Sequence, residues 1–150
     1  MVKQELGPLQ TEWVEALESG RYKQTKRYLH RKNDEERFCC LGVACAISVA
    51  IVKKTVIEES DGGECVCYDG HDSILPPAVQ SLFGFFNADA LMSESGERPE
   101  FAAYIKEHEI STLENKRTTS LTKMNDTGSS FVEIAAFVRE FPELTFKKPV

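Results

Sequence analysis

Residues 38–52 read FCCLGVACAISVAIV, fifteen positions without a charge in a chain of which 28% is Asp, Glu, Lys or Arg. Such a run is driven out of water, yet it is shorter than the roughly 18 apolar residues that a membrane-crossing helix needs. It predicts a central helix that is enclosed on all sides. Leu41, Cys45 and Val49 fall on one of its faces and Val43, Ile47 and Ile51 on another. Lys53 and Lys54 mark its exit to solvent, at the end of a helix where the dipole favours cations.

Everything else can be arranged around that helix. A chain of 150 residues predicts a single domain, 1–150, able to bury about two-thirds of its unfolded surface. After the central run, TVIE (55–58) and CVCY (65–68) flank SDGGE, whose Gly62-Gly63 supplies the backbone freedom of a tight turn. This is a β-hairpin over about 55–68, with Cys65 and Cys67 on one face and Val66 and Tyr68 on the other. Leu9, Trp13, Val14, Ala16 and Leu17 recur at helical spacing before Gly20, where a left-handed cap would close the helix. Another helix enters through Pro76-Pro77, turns Val79, Leu82 and Phe83 inward, and stops at Gly84. A third runs from Pro99 to about Glu107, with Phe101, Tyr104 and Ile105 inward. Ser130 and Glu133 have the spacing of a capping box, and the helix they open buries Phe131, Ile134, Ala135 and Val138 before Pro142 ends it. The fold class is therefore α+β: a buried central helix, a hairpin near it and three or four peripheral helices. Residues 87–98 and 111–119 are polar and turn-rich, and the first of these reads as a mobile surface segment.

Charge narrows the partners. Eighteen basic against twenty-four acidic residues leave a net charge of −6, which disfavours phosphate backbones and anionic membranes. The one basic concentration is Arg21 to Arg37, seven Lys and Arg residues in a stretch that is extended or loop and contains the turn pair Asn33-Asp34. Its plainer reading is a solvated face, and its sharper one a contact with RNA or an acidic partner. SLTKMND (120–126) forms a short helical turn before Gly128, so that with the following helix it imitates the first pair of a helix-turn-helix. The remaining EFPELTFKKPV is too short and too interrupted by proline to supply a reading helix, and no DNA partner is expected. The opening MVKQELGPLQ lacks the apolar centre of a secretory signal, and five cysteines, two of them adjacent, make a poor disulfide framework. Both point to a reducing cytoplasm.

WVEALESGRYKQ, FCCLGVAC, LPPAVQSLFGF and SLTKMNDTGSSFVEIAAFV, in this order, resemble blocks of a family of short proteins encoded by bacteriophages, prophages and some bacteria. The resemblance covers most of the chain outside residues 53–73 and 88–118, and implies an origin without implying a chemistry. The chain departs from the family pattern at Ala46, where an Asp often follows the third cysteine, at Met124 in place of Leu, and at Ala88 in place of Pro.

Three chemistries compete. Cys39 and Cys40 open the predicted helix, where the dipole lowers a thiol pKa, and with His71 or His108 and then Asn125 they imitate the order of thiol proteases. Against this, cysteine is among the most frequently buried residues and packs as a small hydrophobe. Cys65, Cys67 and His71 make a second candidate, a metal site, though Cys-x-Cys fits zinc spacing poorly and no cofactor is expected. Tyr22, Gln24, Asn125 and Asp126 are candidates for binding a ligand or partner, set against ordinary capping and turn chemistry at helix ends. Taken with the resemblance, these residues imply a non-catalytic accessory protein that binds and modulates a host protein, in host takeover or counter-defence. A thiol-dependent hydrolase or transferase using Cys39 or Cys40 is the alternative. The oligomeric state stays open.

Overall fold

A computed structural model describes residues 4–92, 98–113 and 118–150. At its centre, the apolar run is divided between three elements. Phe38 closes a strand, Cys39 is an N-cap with extended backbone, and the helix α2 spans only Cys40–Ile47. Its buried residues are Cys40, Leu41, Gly42, Val43, Ala44 and Cys45. The Ser48 hydroxyl donates back to the Ala44 carbonyl, and the backbone leaves the helix there. The expectation of an enclosed helix to Val52 is thus corrected. Val49 and Ile51 lie beyond its end and are 50% and 48% exposed. An uncharged run shows what can be buried, not what is, because a folded surface always keeps apolar atoms.

Two layers pack on α2. On one side is a five-stranded sheet in the order β1-β3-β2-β5-β4, made of Lys23–Gln24, His30–Lys32, Glu36–Phe38, Lys54–Glu58 and Glu64–Tyr68, numbered β1 to β5 along the chain. Only β1 and β3 run parallel. The β4–β5 hairpin has the predicted boundaries to within a residue and turns at Gly62, φ +89°. Lys54, expected at a helix exit, begins its first strand instead. Val66 and Tyr68 join the main core, whereas Cys65 and Cys67 are buried apart from it, as the alternation requires. The three short strands of residues 23–38 decide that stretch for the extended of its two readings, and Asn33-Asp34 lies in the turn between β2 and β3.

The other layer is helical: α1 (Pro8–Glu18), α3 (Pro77–Phe83), α4 (Pro99–Glu107), α5 (Leu121–Asp126), α6 (Phe131–Glu140) and α7 (Pro142–Thr145). Seven helices and five strands among the described residues make the protein α+β, with more peripheral helices than expected because α5 and α7 are very short. Trp13 of α1 ties the helical layer to α2. Its ring meets Phe83, Phe85 and Phe146 edge-on at centroid distances of 6.4, 5.4 and 6.0 Å, and its Nε1–H donates to the Cys40 carbonyl at 2.9 Å. Arg139 of α6 forms a two-pronged ion pair with Glu18 of α1 at 2.8 and 2.7 Å. The Ser130–Glu133 capping box is present as predicted. The element that follows α6, where a reading helix would stand, is α7, four residues long and buried at Pro142, Leu144 and Thr145. The chain then returns to α1, where Leu9 N–H donates to the Val150 carbonyl at 2.9 Å.

Of the segment read as mobile surface, Ala90 and Met92 are buried, and Leu91 forms a bridge with Ser120. That reading is corrected for these residues; 93–97, and 114–117 of the second polar stretch, lie outside the described residues.

His30 of β2 is a buried titratable group in this frame, 2% exposed. Its Nδ1 is 2.9 Å from the Tyr68 hydroxyl and its Nε2 3.2 Å from Glu36, and its ring stacks on Phe38 at 4.0 Å. Burial pushes its pKa below the ordinary value more than Glu36 pulls it back, and Lys54 and Lys32 add to the lowering. The unfolded chain therefore takes up a proton near pH 6.5 that the folded chain refuses until the pH is lower. Stability is full above that ordinary value and is lost as pH falls through it toward the lower folded value. Thermal midpoints measured from pH 8 to pH 5 are expected to decline below about pH 6.5 and to flatten in a His30→Gln variant. A decline of equal steepness in that variant would assign it to other groups.

Candidate functional site

The sequence blocks that stood apart along the chain meet where α5 ends. Asn125, 1% exposed, lies between the start of α2 and the loop that follows β1. Its Oδ1 accepts the Cys40 N–H at 3.1 Å and the Gln24 side-chain amide at 2.9 Å, while its Nδ2 donates to the Thr25 carbonyl at 2.8 Å. Gln24 also donates to the Ser129 carbonyl at 2.8 Å, and Thr25 N–H donates to Phe38 at 2.8 Å. Next to it, Asp126 Oδ1 accepts the Arg27 N–H at 2.8 Å. Three candidates for binding, Gln24, Asn125 and Asp126, are thus brought together. Tyr22 is not part of this junction; it packs edge-on against Phe38, ring centroids 5.1 Å apart.

The local capping expected of Asn125 and Asp126 is replaced by bonds that reach 100 positions along the chain. The end of α5 is closed by Thr127, whose hydroxyl donates to the Lys123 carbonyl, and Gly128 then takes a positive φ of +114° that lets the chain swing into α6. Around this link lies a cleft of about 270 Å³ lined by Gln24, Thr25, Lys26, Asn125, Gly128 and Ser129. A second hollow of about 200 Å³ shares Gly128 and Ser129 and extends to His108, Glu109 and Glu133.

Residues that the sequence marked only as part of a longer basic stretch form the outer wall. Arg27 holds a left-handed backbone, φ +71°, which costs an ordinary residue about 1–2 kcal/mol. The Asp126 carboxylate, by binding its amide, compensates for that strain and fixes the loop. Lys26 and Arg27 are consequently displayed outward, exposed, and neither side chain is in an ion pair among the described residues. Of the other basic residues in 21–37, Lys23 and Arg37 pair with Glu35, and Arg31 pairs with Asp61 at 2.7 Å while lying over the Tyr28 ring. Ion pairs thus engage three of the seven and leave Arg21, Lys26, Arg27 and Lys32 exposed without one among the described residues; of these, Lys26 and Arg27 stand on the loop that Asp126 holds.

The thiols are placed differently from an activated nucleophile. Cys39 and Cys40 are 7% and 0% exposed. Burial pushes the Cys39 thiol up to about 12, outweighing the Gly42 N–H that donates to its sulfur at 3.3 Å. Burial likewise pushes Cys40 well above the ordinary thiol range, and the negative charge of Asp126 adds to it. The helix-mouth effect operates on Cys39 through the Gly42 N–H but is outweighed by burial, and the Cys40 N–H is taken by Asn125. Asn125 bonds to these main-chain groups and amides and to Asp126, with no histidine among its partners. His71 sits in the turn after β5, paired through its backbone with Tyr68, and His108 stacks on Tyr104 at 3.9 Å. The structure does not assemble the Cys, His, Asn series. Cys65 is buried, its thiol raised to about 11, and among the described residues no three His, Cys, Asp or Glu side chains are grouped to hold a metal ion. Cys65, Cys67 and His71 are therefore not arranged as a ligand set.

Residues 3–141 match the family model described as a domain of unknown function, DUF8296. The chain belongs to that family. The match spans every part of the junction just described, from Gln24 to Ser129. Searches of curated proteins and of solved structures find no match. Among the described residues no helix is long and apolar enough to cross a membrane.

Proposed function

We propose that this is a small phage-encoded accessory protein that acts in the host cytoplasm by binding and modulating a host protein, without catalysing a reaction. Its phage origin rests on the sequence blocks that resemble phage and prophage proteins. The observation that carries the binding site is the Lys26-Arg27 loop, which Asp126 and Asn125 hold in a strained conformation with both cations facing solvent and without an ion pair among the described residues. In a protein of net charge −6, rigid and uncompensated positive charge beside a cleft suits an acidic surface of a partner. Pre-ordering of the loop lowers the entropy lost on binding.

The test is affinity capture from host lysate with the tagged wild type, the Lys26→Glu/Arg27→Glu variant and Cys39→Ala. One partner in stoichiometric amount is expected with the wild type and Cys39→Ala, and recovery about ten-fold lower or worse with the charge-reversed loop. Capture that survives charge reversal, or no partner at all, would refute the proposal.

A further inference from the structure

The outer strand of the sheet has an unoccupied edge. Among the described residues β4 pairs with β5 alone, and all five of its residues are exposed, Val56 and Ile57 at 54% each. A strand of this length is normally protected by charged side chains, proline, a bulge or a covering element, since its free N–H and C=O groups are a template for another strand; here the charges of Lys54 and Glu58 are the device present. Lys54–Glu58 contains no proline and pairs with Glu64–Tyr68 in an unbroken register.

Which main-chain groups are free follows from two bonds on the inner side. Glu59 N–H donates to the Gly63 carbonyl at 2.8 Å, and the Lys53 carbonyl accepts Asp69 N–H at 2.8 Å. Successive residues of a strand direct these groups to alternate sides. Thr55 and Ile57 therefore face β5 with Lys53 and Glu59, while Lys54, Val56 and Glu58 present N–H and C=O to the open edge.

The side chains carry a charge pattern that is its own complement. Residues 53–59 read Lys-Lys-Thr-Val-Ile-Glu-Glu, two cations, three neutral residues and two anions, and none of the four charges is in an ion pair among the described residues. A second copy laid antiparallel with Val56 opposite Val56 sets Lys54 against Glu58 and Lys53 against Glu59, twice over by symmetry. In that register all the outward groups of Lys54, Val56 and Glu58 find partners. A slip by two residues keeps the hydrogen bonds possible but removes the charge pairing, and a parallel copy sets like charges together. We propose that the protein forms a two-fold symmetric dimer through β4, joining two five-stranded sheets into one, with Val56 on the axis. This surface is separate in sequence from the Lys26-Arg27 loop, and the proposal stands apart from the partner reading.

Sedimentation and light scattering from about 1 to 200 μM at low salt test it. The wild type is expected at twice the 16.9 kDa chain mass. Val56→Pro removes an outward N–H and leaves the β5 ladder intact, so a monomer with the parent's circular dichroism is expected. Lys54→Glu and Glu58→Lys, both at exposed positions that keep the fold, are each expected to weaken the dimer at least ten-fold, and Lys54→Glu/Glu58→Lys to restore it. A wild type that stays monomeric, or a dimer indifferent to the single charge reversals, would overturn the proposal.

Discussion

Replacing Gly42 with alanine is expected to destabilise the protein by about 4 kcal/mol, although helix propensity alone predicts a gain of up to roughly 1 kcal/mol. The sign separates the two effects. Gly42 is in the first turn of α2, and a Cβ there would lie 2.5 Å from the carbonyl carbon of Leu29, with the oxygen closer still. Both neighbours are main chain, so no rotamer change relieves the overlap. Nor can the Leu29 segment withdraw freely. Its carbonyl accepts Cys39 N–H at 3.2 Å, its N–H donates to the Asp72 carbonyl at 2.6 Å, and its side chain is fully buried. Moving it would uncouple α2 from the loop before β2 and disturb the wall of the thiol-bearing helix mouth. In a domain of 150 residues the loss corresponds to a drop in thermal midpoint on the order of 10 °C. Midpoints of Gly42→Ala and parent, measured by circular dichroism under the same conditions, decide the matter. An unchanged or raised midpoint would show that the close approach is not what requires glycine.

Gly42 also shows what was legible in the chain and what was not. Features written in adjacent residues were read directly. The Gly62-Gly63 hairpin, the proline entry and Gly84 exit of α3, the α4 boundaries and the Ser130–Glu133 capping box each depend on residues within one or two turns of each other. What failed depended on distant partners. β1 to β3 are two or three residues long and carry no alternation of their own; they exist because β5 and the start of α2 complete their bonding. Val49 and Ile51 look like continuations of the core until one sees that Ser48 turns the chain away. The candidate site was half legible. Gln24, Asn125 and Asp126 were singled out as polar residues near predicted element ends, but their meeting, and the exposure of Lys26-Arg27 that follows from it, depends on contacts across about 100 positions. Cys39 and Cys40 were found by their place at a helix mouth. Their burial was not visible, because it comes from the loop and helix that cover them.

Asn125→Ala is expected to cost about 3 kcal/mol, the second largest effect, since it removes one side chain from four bonds at once. Gln24 and Thr25 are half-buried and can turn partly to water, but the Cys40 N–H is enclosed and loses its acceptor. Asn125→Asp tests the same geometry from the other side. It keeps the shape and the oxygen that faces Cys40 and Gln24, yet sets a carboxylate oxygen against the Thr25 carbonyl and beside Asp126, whose oxygen is 3.3 Å from the present Nδ2. A buried carboxylate with negative neighbours has its pKa raised in the folded state, so the penalty is present at neutral pH and eases as the pH falls. The thermal midpoint of Asn125→Asp is therefore expected to approach that of the parent toward pH 4, while the deficit of Asn125→Ala stays constant over the same range. A structural junction and a catalytic amide differ here. If Asn125 served only a reaction, both variants would keep the parent's midpoint at every pH; because it clamps the β1 loop, its loss lowers stability and, through Asp126 and Arg27, loosens the surface proposed to bind a partner.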